Sequence, residues 1–358
     1  MAEGTFSPEY SDDVPMRKVD GVNGLADGRE GWSRFARVAQ NLVAIAIVGG
    51  FAFYLWKNRS VFEAAVDLSW HTFSAVGVGV LLTWLASSAQ TFVLYRAAGV
   101  RIGFWETFLV AMATAVANYL PMRLGTLVRL RYLKAVHGLG YARSISVAGI
   151  RLVLLIVATG LLGLCGLLGI YATTGRLSVE LAAIFAGLLG LACIAAFRRP
   201  PVTRGQNRLF RIWNNFSEGF ATIRNQPAVA AQVLTLILLQ LFLMGWRFQL
   251  SLEIVGSDPS YSSVLVLAPS ATLVSFVSIV PGGLGLREAV MGYVTLSTQM
   301  TFAAGLLAGT VDRAVQMSLL LTLGFASLAY VWLRLQRAEA DSKDGASSDM
   351  SPGRVTRP

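Results

Sequence analysis

The chain has 358 residues, of which 54% are hydrophobic and 14% are charged, and its mean hydropathy is +0.58. Soluble domains carry about 25% charged residues, so this composition excludes an ordinary soluble protein. The net charge of +10 fits basic cytoplasmic loops of a membrane protein. No basic patch interleaved with aromatic residues and no nucleic-acid-binding motif accompanies that charge, so we expect no nucleic-acid partner.

Several apolar runs exceed the ~20 residues that a helix needs to cross a bilayer, which predicts an all-α, polytopic membrane helix bundle. Residues 1–37 are polar at the start, lack the apolar core of a signal peptide, and are expected to form a disordered cytoplasmic tail. Six full spans are then predicted, and they lie at about 38–56, 72–95, 145–171, 179–197, 228–252 and 302–333.

Two polar segments complete the predicted organisation of the chain. The loop 198–227 is rich in Arg and carries apolar residues at helical spacing, which predicts an amphipathic helix on the cytoplasmic surface. Residues 336–358 are rich in Ser, Asp and Gly and are expected to form a second disordered cytoplasmic tail. Between the two tails, residues 38–335 are predicted to form a single transmembrane domain.

Two further apolar runs, 104–134 and 262–296, are interrupted by helix-breaking residues. The first contains Pro121-Met-Arg-Leu-Gly125, and the second contains Pro281-Gly-Gly-Leu-Gly285 followed by Leu286-Arg287-Glu288. Pro has no amide hydrogen and Gly gains little from the helical state, so neither run continues as one helix. In hydrocarbon, broken backbone persists only where it is packed in protein or lines a wet cavity.

The distribution of basic residues indicates how these broken runs are placed. If both simply crossed the membrane, the loop 198–227 would lie outside, against the positive-inside tendency. The conflict disappears if each broken run is a re-entrant hairpin that enters and leaves on one side. The prediction is therefore six full spans and two re-entrant broken hairpins from opposite faces, with both termini in the cytoplasm.

The two halves of the chain share one pattern, which predicts an inverted repeat with units at about 72–171 and 228–333. Each unit is a span, a broken hairpin and a span that contains an Arg. Arg151 follows Pro121 at nearly the same separation along the chain as Arg313 follows Pro281. Paired broken segments in inverted halves indicate a substrate site near the middle of the membrane.

Charged side chains within apolar runs are expected to face the protein interior, because a charge in hydrocarbon is unfavourable by several kcal/mol or more unless it is paired or wet. Arg offers a planar fork of donors that suits phosphate, and the helix ends at the breaks add free amide groups that favour anions. The candidate substrate-binding residues are Arg123, Arg129, Arg151, Gly282, Gly283, Gly285, Arg287, Glu288, Asp312 and Arg313.

Simpler interpretations stand beside these assignments. Arg123, Arg129 and Arg131 could extend to the lipid surface. Asp312 and Arg313 could be a structural pair. Glu288 could pair with Arg287 or Arg313, or it could titrate and couple transport to protons. Because Glu288 is the only acidic residue at either break, it is the first position that the sequence marks for mutation.

Nothing in the sequence predicts catalysis, a metal site or a cofactor. There is no nucleophile elbow, phosphate-binding loop, dinucleotide fingerprint or zinc motif. The two His and two Cys residues are isolated from one another. A glycine series in the third span, Gly160, Gly163, Gly166 and Gly169, predicts close helix packing.

The segment Pro281-Gly-Gly-Leu-Gly-Leu-Arg-Glu288 resembles the transmembrane region of the lysylphosphatidylglycerol synthase family, a flippase-like module that also occurs alone. The family's first-half element, Pro-x-Arg-x-Gly-Glu-x-x-Arg, is matched here at Pro121, Arg123, Gly125 and Arg129, with Thr126 in place of the Glu. The resemblance covers about 38–335. The aminoacyl-transferase domain of some relatives has no counterpart in this sequence, so lysyl transfer is not implied.

The expected function is translocation of an anionic lipid or a lipid-linked intermediate between leaflets of the plasma membrane. The alternative is a non-catalytic membrane partner of a lipid or glycan biosynthetic enzyme. Membrane lipids with anionic head groups are the expected partners, and such an enzyme and a second copy of the chain are further candidates. No cofactor is expected.

Overall fold

The computed structural model describes residues 70–118, 124–197, 226–277 and 285–349, and within these ranges it contains nine α-helices and no strand. The helices are α1 (Trp70–Ala97), α2 (Phe104–Ala117), α3 (Leu124–His137), α4 (Tyr141–Thr174), α5 (Val179–Phe197), α6 (Pro227–Ile254), α7 (Tyr261–Val277), α8 (Leu286–Ser297) and α9 (Phe302–Asp349). Four of them, α1, α4, α6 and the Phe302–Ala338 part of α9, are long and apolar enough to cross a membrane. The protein is therefore a multi-pass helical membrane protein.

The apolar runs of the sequence correspond to these helices in order. The predicted spans at 72–95, 145–171, 179–197, 228–252 and 302–333 form α1, α4, α5, α6 and α9. Each broken run yields two short helices, α2 and α3 in the first and α7 and α8 in the second. Three predicted features lie wholly or mostly outside the described residues. They are the span at 38–56, nearly all of the loop 198–227, and residues 121–123 and 281–284 of the two Pro-containing breaks.

The last helix corrects one boundary. We expected residues 336–358 to be disordered, but α9 continues to Asp349 and is 48 residues long. Residues 336–344 contain no Gly or Pro and include Ala, Glu, Lys and Arg, which favour helix. A helix that is already formed extends through such residues without a new nucleation step. Polarity alone suggested disorder because it does not report helix propensity.

The helices form two corresponding sets, α1 to α4 and α6 to α9. Each set begins with a 28-residue helix, continues through two shorter helices and ends with a long one. The links after the first helices both use a left-handed glycine, Gly99 (φ 79°) and Gly256 (φ 76°), a conformation that favours Gly. The packing is reciprocal: α1 lies against α6, α2 lies against α9, and α7 lies against α4.

The glycine series on α4 lets two other helices approach closely, as predicted. A Cβ added at Gly163 would lie 2.5 Å from the Phe185 ring of α5, and one at Gly166 would lie 2.8 Å from Val266 of α7. The other two glycines of the series, Gly160 and Gly169, likewise face α5 and α7. This close packing fixes α4, which carries Arg151, against the rest of the bundle.

Candidate functional site

A buried ion network joins α6, α8 and α9 in the second half. Asp312 lies at its centre: its Oδ1 accepts hydrogen bonds from Arg247 Nε (2.9 Å) and Nη2 (2.5 Å), and its Oδ2 accepts one from Arg287 Nη2 (3.1 Å). Asp312 is 0% exposed and Arg247 is 1% exposed. Both carboxylate oxygens are thus held by guanidinium groups from two other helices, which is the arrangement that compensates a buried charge.

Glu288 stabilises the start of α8 and contacts α9. Its Oε2 accepts a hydrogen bond from the backbone N–H of Gly285 (2.8 Å), and its Oε1 lies 3.5 Å from Arg313 Nη1. Gly285 adopts φ 79°, so the turn that precedes α8 uses the left-handed conformation. The neighbouring Arg287 lies over the Phe248 ring, 5.4 Å from its centroid. The two adjacent charged residues therefore have separate partners on α9.

In the first half, neutral groups hold Arg151. Its Nε donates to Gln90 Oε1 (3.0 Å), and its Nη2 donates to Ser87 Oγ (2.7 Å). Gln90 is 0% exposed, and its amide group donates to Gln240 Oε1 (2.7 Å) and to the Leu236 carbonyl (3.1 Å). These contacts orient the guanidinium group of Arg151 without neutralising its charge.

A cavity of about 200 Å³, which we call the two-arginine cavity, lies between α1, α3 and α4. Its polar wall consists of Arg129, Arg151, Tyr95 and Thr91, and its described lining contains no carboxylate. Arg129 Nε is buried and has no hydrogen-bond partner among the described residues. Two guanidinium groups beside one cavity repel each other until an anion lies between them, so this cavity favours a ligand with several acceptor oxygens. Its remaining lining residues are Val147, Ala148, Leu152 and Leu155.

Equivalent helix positions carry different chemistry in the two halves. Gln90 stands as far from the start of α1 as Arg247 stands from the start of α6. Arg151 is likewise as far from the start of α4 as Asp312 is from the start of α9. In the second half, arginines converge on the Asp312 carboxylate, whereas in the first half they converge on a cavity.

The predicted site residues therefore fall into two groups. Gly285, Arg287, Glu288, Asp312 and Arg313 come together in the second half, and Arg129 and Arg151 come together at the two-arginine cavity. Arg123, Gly282 and Gly283 lie outside the described residues. The role of each predicted site residue in binding a substrate remains a prediction.

Sequence reasoning did not include Arg247, Gln90 or Tyr95 among the site residues. Arg247 gave a signal, because it is a lone cation within the apolar run of α6. Gln90 gave a weaker sequence signal of a buried polar site, because it is a side-chain amide within the apolar helix α1. Tyr95 lies among apolar residues at a span end, where aromatic residues are common, so nothing in the sequence distinguished it.

A third polar cluster links the start of α2 to the last part of α3. Glu106, in the first turn of α2, accepts a hydrogen bond from the Tyr132 hydroxyl (2.5 Å), and its Oε1 lies 3.0 Å from His137 Nε2. Burial alone would raise the pKa of Glu106, but the hydrogen bonds from Tyr132 and His137 outweigh it and lower that pKa. Within the described ranges, no group of three or more His, Cys, Asp or Glu residues could hold a metal ion.

Comparison with known proteins agrees with the motif resemblance. The family described as the lysylphosphatidylglycerol synthase TM region matches residues 41–335, which is most of the chain and includes α1 through the membrane part of α9. No curated protein matches the sequence.

Proposed function

Because the chain belongs to the lysylphosphatidylglycerol synthase TM region family, we propose that it moves an anionic lipid or a lipid-linked intermediate between the leaflets of the plasma membrane. The observation that carries the proposal is the two-arginine cavity, where Arg129 and Arg151 face one space whose described lining contains no acid. A phosphate head group would supply the missing negative charge and the acceptor oxygens.

The proposed head-group site is partly preorganised. Ser87 and Gln90 hold the guanidinium group of Arg151, so little side-chain freedom is lost when a ligand binds. Arg129 Nε is a buried donor without a partner in the described part of the chain, and a buried donor gains most when a ligand brings an acceptor. Tyr95 and Thr91 add hydroxyl groups to the same wall.

The proposed route uses two re-entrant hairpins in an inverted repeat. The helices α2 and α3 have 14 residues each, or about 21 Å, which is less than the ~30 Å hydrocarbon core. Glu106 at the start of α2 contacts His137 at the end of α3, so the outer ends of the first hairpin lie together. Such an arrangement supports entry and exit on one side, and the reciprocal packing of the two helix sets supports a repeat.

The remaining parts of the proposal follow from charge and chemistry. Basic residues near the proposed first hairpin support a cytoplasmic position for its open end and for both termini. The protein acts as a transporter and not as an enzyme. The rival function is a non-catalytic membrane partner of a lipid or glycan biosynthetic enzyme, and the transport assay separates the two.

The decisive experiment measures leaflet exchange of labelled lipids in liposomes that contain the purified protein. Wild type should accelerate exchange of at least one anionic lipid in a panel. Arg129→Gln and Arg151→Gln should each remove a charged hydrogen bond, about 1.5–3 kcal/mol, and weaken lipid binding about tenfold to a hundredfold. Arg143→Gln, an exposed position on α4, is the matched control and should exchange lipid like wild type.

The outcomes separate the rival functions. If wild type and both cavity variants exchange every lipid at the rate of empty liposomes, the transport proposal is wrong. Co-purification of a biosynthetic enzyme whose activity needs the protein but not Arg129 or Arg151 would then favour the partner function.

Proton coupling through Glu288 has its own test. Glu288→Gln keeps an acceptor for the Gly285 N–H but cannot ionise. A coupled transporter should lose its response to a pH gradient in this variant, while exchange in the absence of a gradient continues. Glu288→Ala is a poorer probe, because it also removes the contact that fixes the start of α8.

A further inference from the structure

Gln90 is the buried side chain through which α6 determines the orientation of Arg151. Its Nε2 donates hydrogen bonds to Gln240 Oε1 (2.7 Å) and to the Leu236 carbonyl oxygen (3.1 Å), both on α6. These two acceptors take both N–H groups of the amide, so the amide oxygen is left to face Arg151. That oxygen accepts the hydrogen bond from Arg151 Nε (3.0 Å). The amide at position 90 is therefore held in one orientation by partners on two other helices.

This arrangement leaves part of the Arg151 guanidinium group available to a ligand. A guanidinium group has five N–H donors; here Nε uses its one on Gln90, and Nη2 uses one of its two on Ser87 Oγ. In the described part of the chain, no acceptor takes the second donor of Nη2 or either donor of Nη1. These two nitrogens form the end of the fork, which suits two parallel hydrogen bonds to a phosphate group.

The acceptors that hold Arg151 are neutral, and in this respect it differs from the arginines of the second half. There the Asp312 carboxylate holds Arg247 and offsets its charge. Gln90 and Ser87 supply hydrogen bonds but no negative charge, and the described lining of the two-arginine cavity contains no acid. The charge of Arg151 therefore acts on the occupant of the cavity. A head group with net negative charge is attracted, and the ammonium group of a zwitterionic head group is repelled.

We propose that Gln90 sets the charge selectivity of the two-arginine cavity. As a neutral amide it orients Arg151 and leaves the positive charge for a phosphate group, so the cavity prefers anionic over zwitterionic head groups. Gln90 acts through Arg151 and is a positioning residue. The inference rests on the proposed function, because it requires a head group to bind in this cavity.

The test replaces the amide by a carboxylate of nearly the same size. In Gln90→Glu, one carboxylate oxygen can accept from Arg151 Nε, and the Gln240 amide can rotate and donate to the other. The variant keeps the side-chain volume between α1 and α6. It converts the neutral contact into an ion pair of the kind that Arg247 makes with Asp312, so Arg151 should no longer attract an anion.

The measurement is the affinity of the detergent-purified full-length protein for dioctanoylphosphatidylglycerol and dioctanoylphosphatidylcholine, by titration calorimetry. Wild type should bind phosphatidylglycerol about tenfold more tightly, and in Gln90→Glu this ratio should fall to about twofold or less, with the unfolding temperature of wild type retained. Gln232→Glu makes the same chemical change at an exposed position of α6 that does not line the cavity. This matched control should keep the preference of wild type.

The outcomes separate this inference from the proposed function. If Arg151→Gln loses the preference for phosphatidylglycerol and Gln90→Glu keeps it, the role of Gln90 is overturned and the cavity still binds head groups. Equal losses of affinity for both lipids in Gln90→Glu also overturn that role, because a structural defect does not distinguish head groups. Equal binding by wild type and Arg151→Gln overturns both. Selective binding without leaflet exchange overturns transport alone.

Ser87→Asp keeps the inference testable if Gln90→Glu does not fold. Ser87 Oγ accepts from Arg151 Nη2 (2.7 Å), so Asp at this position brings a carboxylate to the same guanidinium group from the preceding turn of α1. The variant should show the same selective loss, and an unchanged preference would overturn the inference. Titration with inorganic phosphate identifies the source of the anion: binding that either variant abolishes supports the role of Gln90 with a soluble phosphate as the occupant.

Discussion

The Asp312 carboxylate compensates the buried charges of two arginines in the second half. Replacing it by Ala leaves Arg247 and Arg287 buried without their carboxylate. Removing one partner of a buried ion network is unfavourable by about 3–5 kcal/mol, because the remaining charge is uncompensated. We expect Asp312→Ala to lower the thermal unfolding temperature of the detergent-purified protein strongly.

The control for this prediction is Glu253→Ala on α6. Glu253 is exposed and accepts a hydrogen bond from Gln249 (3.0 Å), so its loss should change stability by less than about 1 kcal/mol. Equal unfolding temperatures for the two variants would show that the Asp312 network does not stabilise the fold.

The Glu106 carboxyl group predicts a pH dependence for the contact between α2 and α3. Its folded-state pKa is lowered below the ordinary 4.5, chiefly because hydrogen bonds from Tyr132 and His137 outweigh the effect of burial. A carboxyl group with a lowered folded pKa stabilises the fold above its ordinary pKa and loses that stabilisation as pH falls through the folded value. The protection of α3 amides against hydrogen exchange, measured relative to their intrinsic exchange rates at each pH, should therefore fall below about pH 4.5.

Glu106→Gln isolates this effect. The variant should exchange α3 amides faster at neutral pH, corresponding to a loss of about 1.5 kcal/mol for a charged hydrogen bond, and should lack the acid-dependent step. Burial and the Glu106 carboxylate raise the pKa of Tyr132, so its hydroxyl remains a donor throughout this range. An unchanged acid step in Glu106→Gln would assign the step to another group.

The residue scale also shows what the sequence could not predict. Charges within apolar runs indicated a buried polar interior, and Arg287, Glu288, Asp312 and Arg313 do form one. Their partners were not predictable: Arg247 is 65 residues from Asp312, and Gln90 is 150 residues from Gln240. Such pairing depends on how each helix is rotated and how far it slides against its neighbour, and one sequence does not contain that information.

At the element scale, Gly163 controls how closely α4 and α5 pack. An added Cβ would lie 2.5 Å from the Phe185 ring, and Phe185 is 1% exposed, so the ring has little room to move. Overpacking of this kind is unfavourable by about 1–3 kcal/mol. Gly163→Ala should therefore lower the unfolding temperature.

Gly187→Ala on α5 is the matched control. A Cβ there would meet nothing within 4 Å, and Ala favours helix over Gly by about 0.5–1 kcal/mol. This variant should be as stable as wild type or more so. A similar loss of stability in both variants would mean that a lost glycine, and not the contact with Phe185, is responsible.

Helix order was the most predictable level, because long apolar runs and Pro-Gly interruptions are local signals. Every predicted element within the described residues is helical, with ends that shift by a few residues at most places. The extension of α9 to Asp349 was missed because a polar composition does not distinguish a solvated helix from a disordered tail. The family motifs at Pro121 and Pro281 correctly predicted where each apolar run divides into two helices, although residues 119–123 and 278–284 lie outside the described residues.

For the whole molecule, the two helix sets share a framework and differ in charge balance. The second set pairs Arg247, Arg287 and Arg313 with the two carboxylates of Asp312 and Glu288, and the first leaves Arg129 and Arg151 beside a cavity without a described acid. The asymmetry follows from substitutions at equivalent helix positions and needs no difference in fold.

The final prediction concerns the membrane topology of the whole chain. The accessibility of introduced Cys residues to a thiol reagent tests it. In a protein whose two native cysteines are replaced by Ser, Ala135→Cys lies near the outer end of α3, and Gln299→Cys lies in the link between α8 and α9. Both positions are exposed. If the hairpins enter from opposite faces, a membrane-impermeant thiol reagent added to intact cells should label Gln299→Cys and not Ala135→Cys.

The distribution of Lys and Arg predicts which of the two positions faces the cytoplasm and is therefore not labelled in intact cells. Lys134 and Arg143 flank the first position, whereas the links 255–260 and 298–301 contain no Lys or Arg. Permeabilised cells should label both positions, which controls for buried thiols. Labelling of Ala135→Cys in intact cells would mean that α2 and α3 do not return to the cytoplasm. The proposed entry of a lipid into the two-arginine cavity from the inner leaflet would then be wrong.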